Sequence, residues 1–162
     1  MTVFKSLMAV FLFFITAAGS GGVPQNLEVT PLSIETDEGW HRFEVEVART
    51  PEQQSLGLMY RAEMAADHGM IFHYSFPQSV GFWMKNTYIS LDLIFILPDG
   101  TIADIAHDTQ PHSLQTINSP GWVAGVLELN GGLSETLGIE AGDIVHHEIF
   151  GNAIPAQDPD ND

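Results

Sequence analysis

The sequence predicts a mainly β (α+β) domain: a single compact, mostly antiparallel curled sheet or partly closed barrel with one or two short helices. The chain has 162 residues, which suits one domain with a substantial core. Hydrophobic residues make up 44% of it and aromatic residues 10%, a composition typical of a folded protein. Many short apolar or alternating runs are separated by turn residues, and few stretches suit a helix, which favours such a β fold.

The first strand is predicted at "WHRFEVEVA", residues 40–48. Phe43, Val45 and Val47 would face one side of this strand, and the charged residues between them would face the other. A short helix follows, from residue 51 to about residue 58, because Thr50 suits the N-cap and a proline comes at the first helical position.

The later strands are predicted where short apolar runs recur, at residues 69–74, 80–84, 90–97, 101–108 and, ending in a glycine turn, 123–132. The "PDG" sequence at 98–100 indicates a hairpin turn. A short helix or turn after residue 132 leads into a final strand from Asp143. We expect the strands at 80–84 and 90–97 to be neighbours, with residues 85–89 connecting them.

The N-terminus has the three parts of a secretory signal peptide over residues 1–19. Lys5 precedes an apolar stretch at residues 7–15, and small residues follow, so cleavage is expected after Ala18 or Gly19. The alternative is an uncut N-terminal membrane anchor, but a span needs about 20 apolar residues. We therefore expect an exported protein, periplasmic or extracellular.

The rest of the chain divides into three parts: residues 20–39 as a flexible lead-in, 40–150 as the domain, and 151–162 as an acidic disordered tail.

The charge of the chain restricts its partners. It has 21 acidic residues against 5 basic ones, for a net charge of −16, which repels phosphate backbones and anionic headgroups. Nucleic acid is therefore excluded as a partner, and membrane contact is expected only through the N-terminal segment, if that segment stays uncleaved. There is no cysteine, so disulfides, thiol catalysis and cysteine-bound zinc are excluded as well.

Four segments, in the order "VEVARTPEQQSLGLMYR", "GMIF", "FWMKNTYISLDLIFILPDGTI" and "VLELNGGLSETLGIEAGDIV", resemble the DUF192 family, also called UPF0127. The resemblance covers about residues 43–149. It implies a small β-rich domain with short helices that is often exported or membrane-associated. It implies no established activity.

Polar side chains interrupt the apolar run at residues 81–100. Lys85, Asn86 and Asp92 lie there, where an unpaired buried charge or amide would cost several kcal/mol. A structural explanation pairs Lys85 with Asp92 or Glu128, while Asn86 and Thr87 bond the turn backbone.

A functional explanation places the same groups at the mouth of a pocket whose rim is Phe82, Trp83, Met84 and Tyr88. The predicted ligand-binding residues are Arg61, Trp83, Lys85, Asn86, Thr87, Asp92 and Glu128. On this interpretation the protein is a non-catalytic exported domain. It would bind a small polar or anionic ligand, a partner peptide or an envelope protein at the patch formed by residues 83–86.

Two alternatives stay open. The first is a small hydrolase or lyase acting on envelope carbohydrate, with Asp92 or Glu128 as acid or base, which in its paired form needs both carboxylates in one cleft. The second is a Cu(I)-handling protein using Met59, Met70 and Met84, because thioethers suit Cu(I). The histidines are scattered and no HExxH pattern is present, so no other metal and no cofactor is predicted.

Overall fold

The computed structural model describes residues 26–154. Nine strands and two short helices follow one another in this part of the chain. The strands are β1 (Val29–Thr36), β2 (Gly39–Ala48), β3 (His68–Gln78), β4 (Gly81–Phe82), β5 (Leu91–Ile96), β6 (Ile102–Thr109), β7 (Ile117–Asn118), β8 (Val123–Asn130) and β9 (Ile144–His146). The helices are α1 (Pro51–Leu56) and α2 (Leu133–Thr136), and a single 3₁₀ turn covers Glu148–Phe150.

Seven of these strands form one curled sheet in the order β6-β5-β8-β3-β2-β1-β9. Its pairs are antiparallel except β2 with β3, which are parallel. The two edges of the sheet approach each other, because Thr101 forms a β-bridge with Ile144 and the Ile102 N–H donates to the Asp143 carbonyl at 2.8 Å. The predicted mainly β fold with a curled sheet is confirmed.

The central strands of the sheet are buried on both faces. Inside the curl lies a first core that includes Ile102 and Val145 from the two edge strands and Leu129 from the centre. A second core covers the outer face of β3, β8 and β5, with Phe72, Val126 and Leu93 among its members. Because both faces are covered, β5 is buried at every residue and shows no apolar–polar alternation.

Helix α1 connects the parallel strands β2 and β3. The Thr50 side chain accepts a hydrogen bond from the Gln53 N–H and the Gln53 side chain bonds back to the N-cap backbone, a capping box with Pro51 in the first turn. The helix ends at Leu56, two residues earlier than predicted, because Gly57 takes a positive φ of 48°. This crossover holds α1 over the second core, where Gly57 lies against the Phe72 ring.

Two predictions about the chain are wrong. Residues 29–36 are not a flexible lead-in but strand β1, which pairs with β2 and β9 and buries Leu32 and Ile34 in the first core. Residues 80–84 are not a neighbour of the strand at 90–97, because β4 pairs with β7 in a separate two-stranded sheet.

The predicted signal peptide lies outside the described residues, as does most of the predicted acidic tail. Between residues 26 and 154 no helix has the length and apolarity needed to cross a membrane.

Candidate functional site

A cleft of about 460 Å³ opens on the outer face of the sheet, between α1, β3 and the β4 segment. Four aromatic residues contribute to its walls: Phe72, Tyr74, Phe82 and Trp83. Gln54, Leu58 and Met59 line it from the side of the helix, and the other polar lining residues include Ser55, Gln78, Thr87 and Glu128. We call this cleft the Glu128 pocket, because Glu128 is the one carboxyl among its lining residues.

Glu128 occupies a central position in the sheet. It lies on β8 opposite Met70 of β3 and Leu93 of β5, both fully buried, and is itself 6% exposed. Its Oε2 is buried and finds no hydrogen-bond partner among residues 26–154. Burial raises the pKa of Glu128 to about 8, against an opposing effect of the positive charge on Arg61. The carboxyl is therefore mostly protonated at neutral pH and available for a hydrogen bond.

Tyr74 provides a second polar group near this carboxyl. Burial, and then the charge on Glu128, raise the pKa of the Tyr74 phenol above its ordinary value, so the hydroxyl stays neutral. The Gln54 amide, in contrast, is occupied, because its nitrogen donates to the His73 carbonyl at 2.8 Å and to the Ala48 carbonyl at 3.3 Å. The pocket thus combines aromatic walls with several polar side chains, among them Ser55, Gln78, Thr87 and Glu128.

Arg61 does not line the pocket. Its guanidinium forms a two-pronged ion pair with Glu46, with Nη2 to Oε2 at 2.7 Å, and this hydrogen bonding is the main reason that the pKa of Arg61 is raised. Arg61 acts on Glu128 through its charge alone. It supports the pocket from beside it and offers no open cation to a ligand.

Lys85 lies at the surface, and the predicted pairing with Asp92 or Glu128 is wrong. No ion pair involves it within the described part of the chain; its Nζ lies 5.0 Å from the centre of the Trp83 ring. Trp83 is 50% exposed and contributes to the pocket wall. Because the side chain is exposed and lies over an aromatic face, its ammonium does not require a buried acid.

Asn86 and Thr87 hold the backbone around this patch. Asn86 has a positive φ of 57°, its carbonyl accepts from the Tyr60 N–H at 2.9 Å, and its amide donates to the Tyr60 hydroxyl at 2.8 Å. Thr87 is buried, lines the pocket and donates to the Lys85 carbonyl at 3.4 Å. Asn86 is a structural link, whereas Thr87 belongs to both the turn and the pocket.

Asp92 lies on the opposite face of the sheet from the pocket. It is fully buried, and its carboxylate accepts from the backbone N–H groups of Asp108 at 2.7 Å, Gly132 at 2.9 Å and Ser134 at 2.8 Å. Burial acts to raise the pKa of Asp92, but these hydrogen bonds outweigh burial and lower it. Asp92 is an ionised structural residue.

The three methionines of the Cu(I) hypothesis have different surroundings. Met70 is fully buried in the second core, and the Met84 sulfur accepts a hydrogen bond from the Thr109 hydroxyl at 3.2 Å. Met59 lines the pocket. Within residues 26–154 no group of three or more histidine, aspartate or glutamate side chains could hold a metal ion either.

The structure therefore brings together Trp83, Thr87 and Glu128 from the predicted set on the lining of one pocket. Lys85 touches this lining through the Trp83 ring alone, and Asp92 lies on the other face of the sheet. Phe72 and Tyr74 are pocket residues that sequence reasoning missed. They read as ordinary strand residues in "GMIFHY", and nothing in that segment indicates that β3 pairs with β8.

Fold and pocket together define a class of small β domain: a half-barrel sheet with an aromatic cleft, floored by a carboxyl, on its outer face. The chain belongs to the DUF192 family, described as an uncharacterized ACR, whose profile matches residues 32–147. No curated protein matches the sequence.

Two solved structures are similar. One is a "putative transcription regulator" from Sinorhizobium meliloti 1021, with 41% sequence identity and a TM-score of 0.76 over 78% of this chain and 99% of that one. The other is a protein of unknown function from Novosphingobium aromaticivorans DSM 12444, with 38% identity and a TM-score of 0.74 over 80% of this chain and 94% of that one. The resemblance to DUF192 and the implied β-rich fold are confirmed.

Proposed function

We propose that this domain binds a small polar ligand, or a side chain of a partner peptide, in the Glu128 pocket and does not transform it. The observation that carries the proposal is the buried Glu128 carboxyl, which lies on the lining of an aromatic cleft and has an oxygen without a partner in the part of the chain that the structure describes. An unsatisfied buried polar atom costs about 1–3 kcal/mol. A ligand that donates a hydrogen bond to it would recover part of that cost.

The sequence predicts a polar or an anionic ligand, and of these two a polar ligand suits this pocket better. Two cations could attract an anion, but neither lines the pocket. Lys85 lies at the surface over Trp83, and Arg61 is held by Glu46. The same arrangement argues against nucleic acid, because Arg49 is also paired, with Glu28 and Glu148.

The test compares the parent with Glu128→Leu in a thermal-stabilisation screen against a broad panel of small polar compounds. Leucine is apolar and similar in size, so we expect it to raise the free energy of unfolding while it abolishes every stabilisation seen with the parent. A purely structural glutamate would not give a variant that is more stable and yet fails to bind. If no compound stabilises the parent, or if Glu128→Leu keeps the stabilisation, the binding proposal is wrong.

A second candidate is a hydrolase or lyase acting on envelope carbohydrate, with Glu128 as general acid. The pKa of about 8 favours it, because the carboxyl holds its proton at neutral pH. The paired-carboxylate form is excluded, since Asp92 lies on the other face of the sheet. Product formation from envelope polysaccharide by the parent, lost in Glu128→Gln, would select this candidate over simple binding.

The proposal includes export, for which the support is the signal-like sequence at residues 1–19. The test is to fractionate cells that express the full chain and to measure the mass of the product. A product found outside the cytoplasm, with the mass of a chain that begins after Ala18 or Gly19, would support export with cleavage. An intact N-terminus in the membrane fraction would support the anchored alternative.

A further inference from the structure

The lining of the pocket holds one carboxyl and no basic side chain. Arg61 and Glu46 neutralise each other in a two-pronged ion pair beside it, and Lys85 lies over the Trp83 ring. Glu128 is the carboxyl, and it has no ion-pair partner among residues 26–154. Loss of its proton would leave a negative charge without a partner in a low-dielectric site, and a positive charge in the pocket would supply that partner.

The walls of the pocket suit a cation as well. Phe72, Phe82, Tyr74 and Trp83 contribute aromatic rings, whose faces attract positive charge. One of these rings already receives an alkylammonium group, since the Lys85 Nζ lies 5.0 Å from the centre of the Trp83 ring. The carbon stem of such a ligand would meet Leu58 and Met59.

The whole chain reinforces this preference. Its net charge of −16 produces a negative field that raises the local concentration of cations and lowers that of anions. An anion would have to overcome this field and meet a carboxyl at the floor of the cleft.

We propose that the occupant of the Glu128 pocket is an organic cation: a protonated amine carried on an apolar or aromatic stem. This inference rests on the proposed binding function. The same alkylammonium chemistry occurs in free amines and in the lysine side chains of proteins, so both sources are included in the test. On binding, the ammonium pairs with the Glu128 carboxylate and the aromatic rings surround its stem.

Binding of such a ligand releases a proton. The groups that act on Glu128 are Arg61, from the segment after α1, and Tyr74 on β3, with Glu46 of β2 held by Arg61. None of these three takes up the proton that the Glu128 carboxyl loses, because Arg61 is already a cation, Tyr74 is already a neutral phenol and both carboxyl oxygens of Glu46 accept hydrogen bonds from Arg61. The proton therefore passes to the buffer, and the observed binding enthalpy depends on the buffer used.

The experiment uses three probes of one shape: benzylamine, benzyl alcohol and benzoate, protonated, neutral and anionic at pH 7. Affinities are measured from the amide chemical shifts of the protein as each probe is added. Benzylamine is also titrated by calorimetry in two buffers of different ionisation enthalpy. Nα-acetyl-lysine methylamide is the fourth probe and tests a protein-borne lysine. The variants are Glu128→Gln and Asp104→Asn, each of which removes one acid. Asp104 is an exposed residue of β6 and does not line the pocket.

We expect benzylamine to bind at least tenfold more tightly than benzyl alcohol and benzoate not to bind. Glu128→Gln should weaken the binding of benzylamine at least tenfold, whereas Asp104→Asn should change its dissociation constant less than twofold. Tighter binding of the lysine derivative than of benzylamine would assign the site to a protein partner, and the reverse would assign it to a free amine.

Binding of benzyl alcohol or benzoate as tight as that of benzylamine would overturn the cation proposal and leave the binding function standing. If the two variants weakened benzylamine binding equally, the cation proposal would be overturned too, because the net charge of the protein would then explain the effect without a site at Glu128. Absence of shifts with all four probes overturns the cation proposal, and the broad compound screen then decides separately on the binding function.

Discussion

Asp92 and Glu128 lie on neighbouring strands but one register position apart, so their side chains leave the sheet on opposite faces. Asp92 pairs with Leu129, and Glu128 pairs with Leu93. Because side chains alternate along a strand, this single step sends one carboxylate into backbone hydrogen bonds and the other into the pocket. The two acids look alike in sequence, but Asp92 is an ionised structural residue, whereas Glu128 is a protonated, buried residue on the lining of the pocket.

Glu128 should make stability depend on pH. Its folded pKa of about 8 lies above the ordinary 4.5, so the folded state holds a proton that the unfolded state has lost. The contribution of Glu128 to the free energy of unfolding therefore falls as pH rises from 4.5 to 8, by up to about 1.4 kcal/mol per pH unit. Urea unfolding of the parent and Glu128→Gln at pH 5, 6, 7 and 8 measures this, since glutamine removes that slope. Parallel pH profiles of the two proteins would contradict the prediction.

Asp92→Asn should destabilise the fold by about 2–4 kcal/mol, because a charged acceptor of three buried N–H groups is replaced by an amide that brings its own donor. The pKa of Asp92 is lowered, so its stabilisation is present above the ordinary value of 3.8 and disappears as pH falls through the folded value. Chemical unfolding at pH 7 and pH 3 checks both points. The control is Asp104→Asn, which should change the free energy of unfolding by less than about 0.5 kcal/mol.

Asn86 should show separate backbone and side-chain effects. Its φ of 57° strains an alanine by about 1–2 kcal/mol but not a glycine. Both variants lose the hydrogen bond to the Tyr60 hydroxyl, which is worth about 1 kcal/mol. Thermal and urea unfolding should therefore rank the parent above Asn86→Gly and Asn86→Gly above Asn86→Ala. An alanine variant as stable as the glycine variant would show that the backbone is not constrained as described.

Lys85 and Arg61 should differ sharply in their importance. Lys85→Ala removes one exposed cation–π contact and should cost no more than about 1 kcal/mol. Arg61→Ala leaves Glu46 without its partner and Glu128 without a nearby positive charge, and should cost roughly 1–3 kcal/mol. Urea unfolding at pH 7 measures both. If Lys85→Ala alone unfolded the domain, that result would contradict the exposed position of Lys85 and support its pairing with a buried acid.

The strands with clear periodicity could be predicted, and those with interrupted patterns could not. β2 alternates over residues 40–48, and the Thr50–Pro51 cap marks the start of α1, so both were predicted closely. β1 is the exception: it alternates, with Leu32 and Ile34 buried, but it follows the glycine-rich stretch "GSGGVPQNL" at residues 19–27, which predicts a flexible lead-in. β4 has two residues and depends on pairing with β7, which no local pattern indicates.

The candidate site was predicted in part for the same reason. Glu128 stands out in sequence as an acid in an apolar strand, and it lines the pocket. Lys85 stands out equally, but a lysine stem can turn its ammonium to water, and here it does. Tyr74 carries no signal of its own and becomes a pocket residue through the position of β3.

The sequence by itself determined the class of fold and which residues of the regular strands share a face, because alternation and capping act between residues a few positions apart. Only the tertiary structure decided that Tyr74 and Trp83 join Glu128 around one cleft and that Asp92 lies behind the sheet. The physical reason is the range of the interactions. Strand pairing and register join segments more than fifty residues apart, as in the Met70–Glu128 pair, and one register step is enough to choose between the two faces.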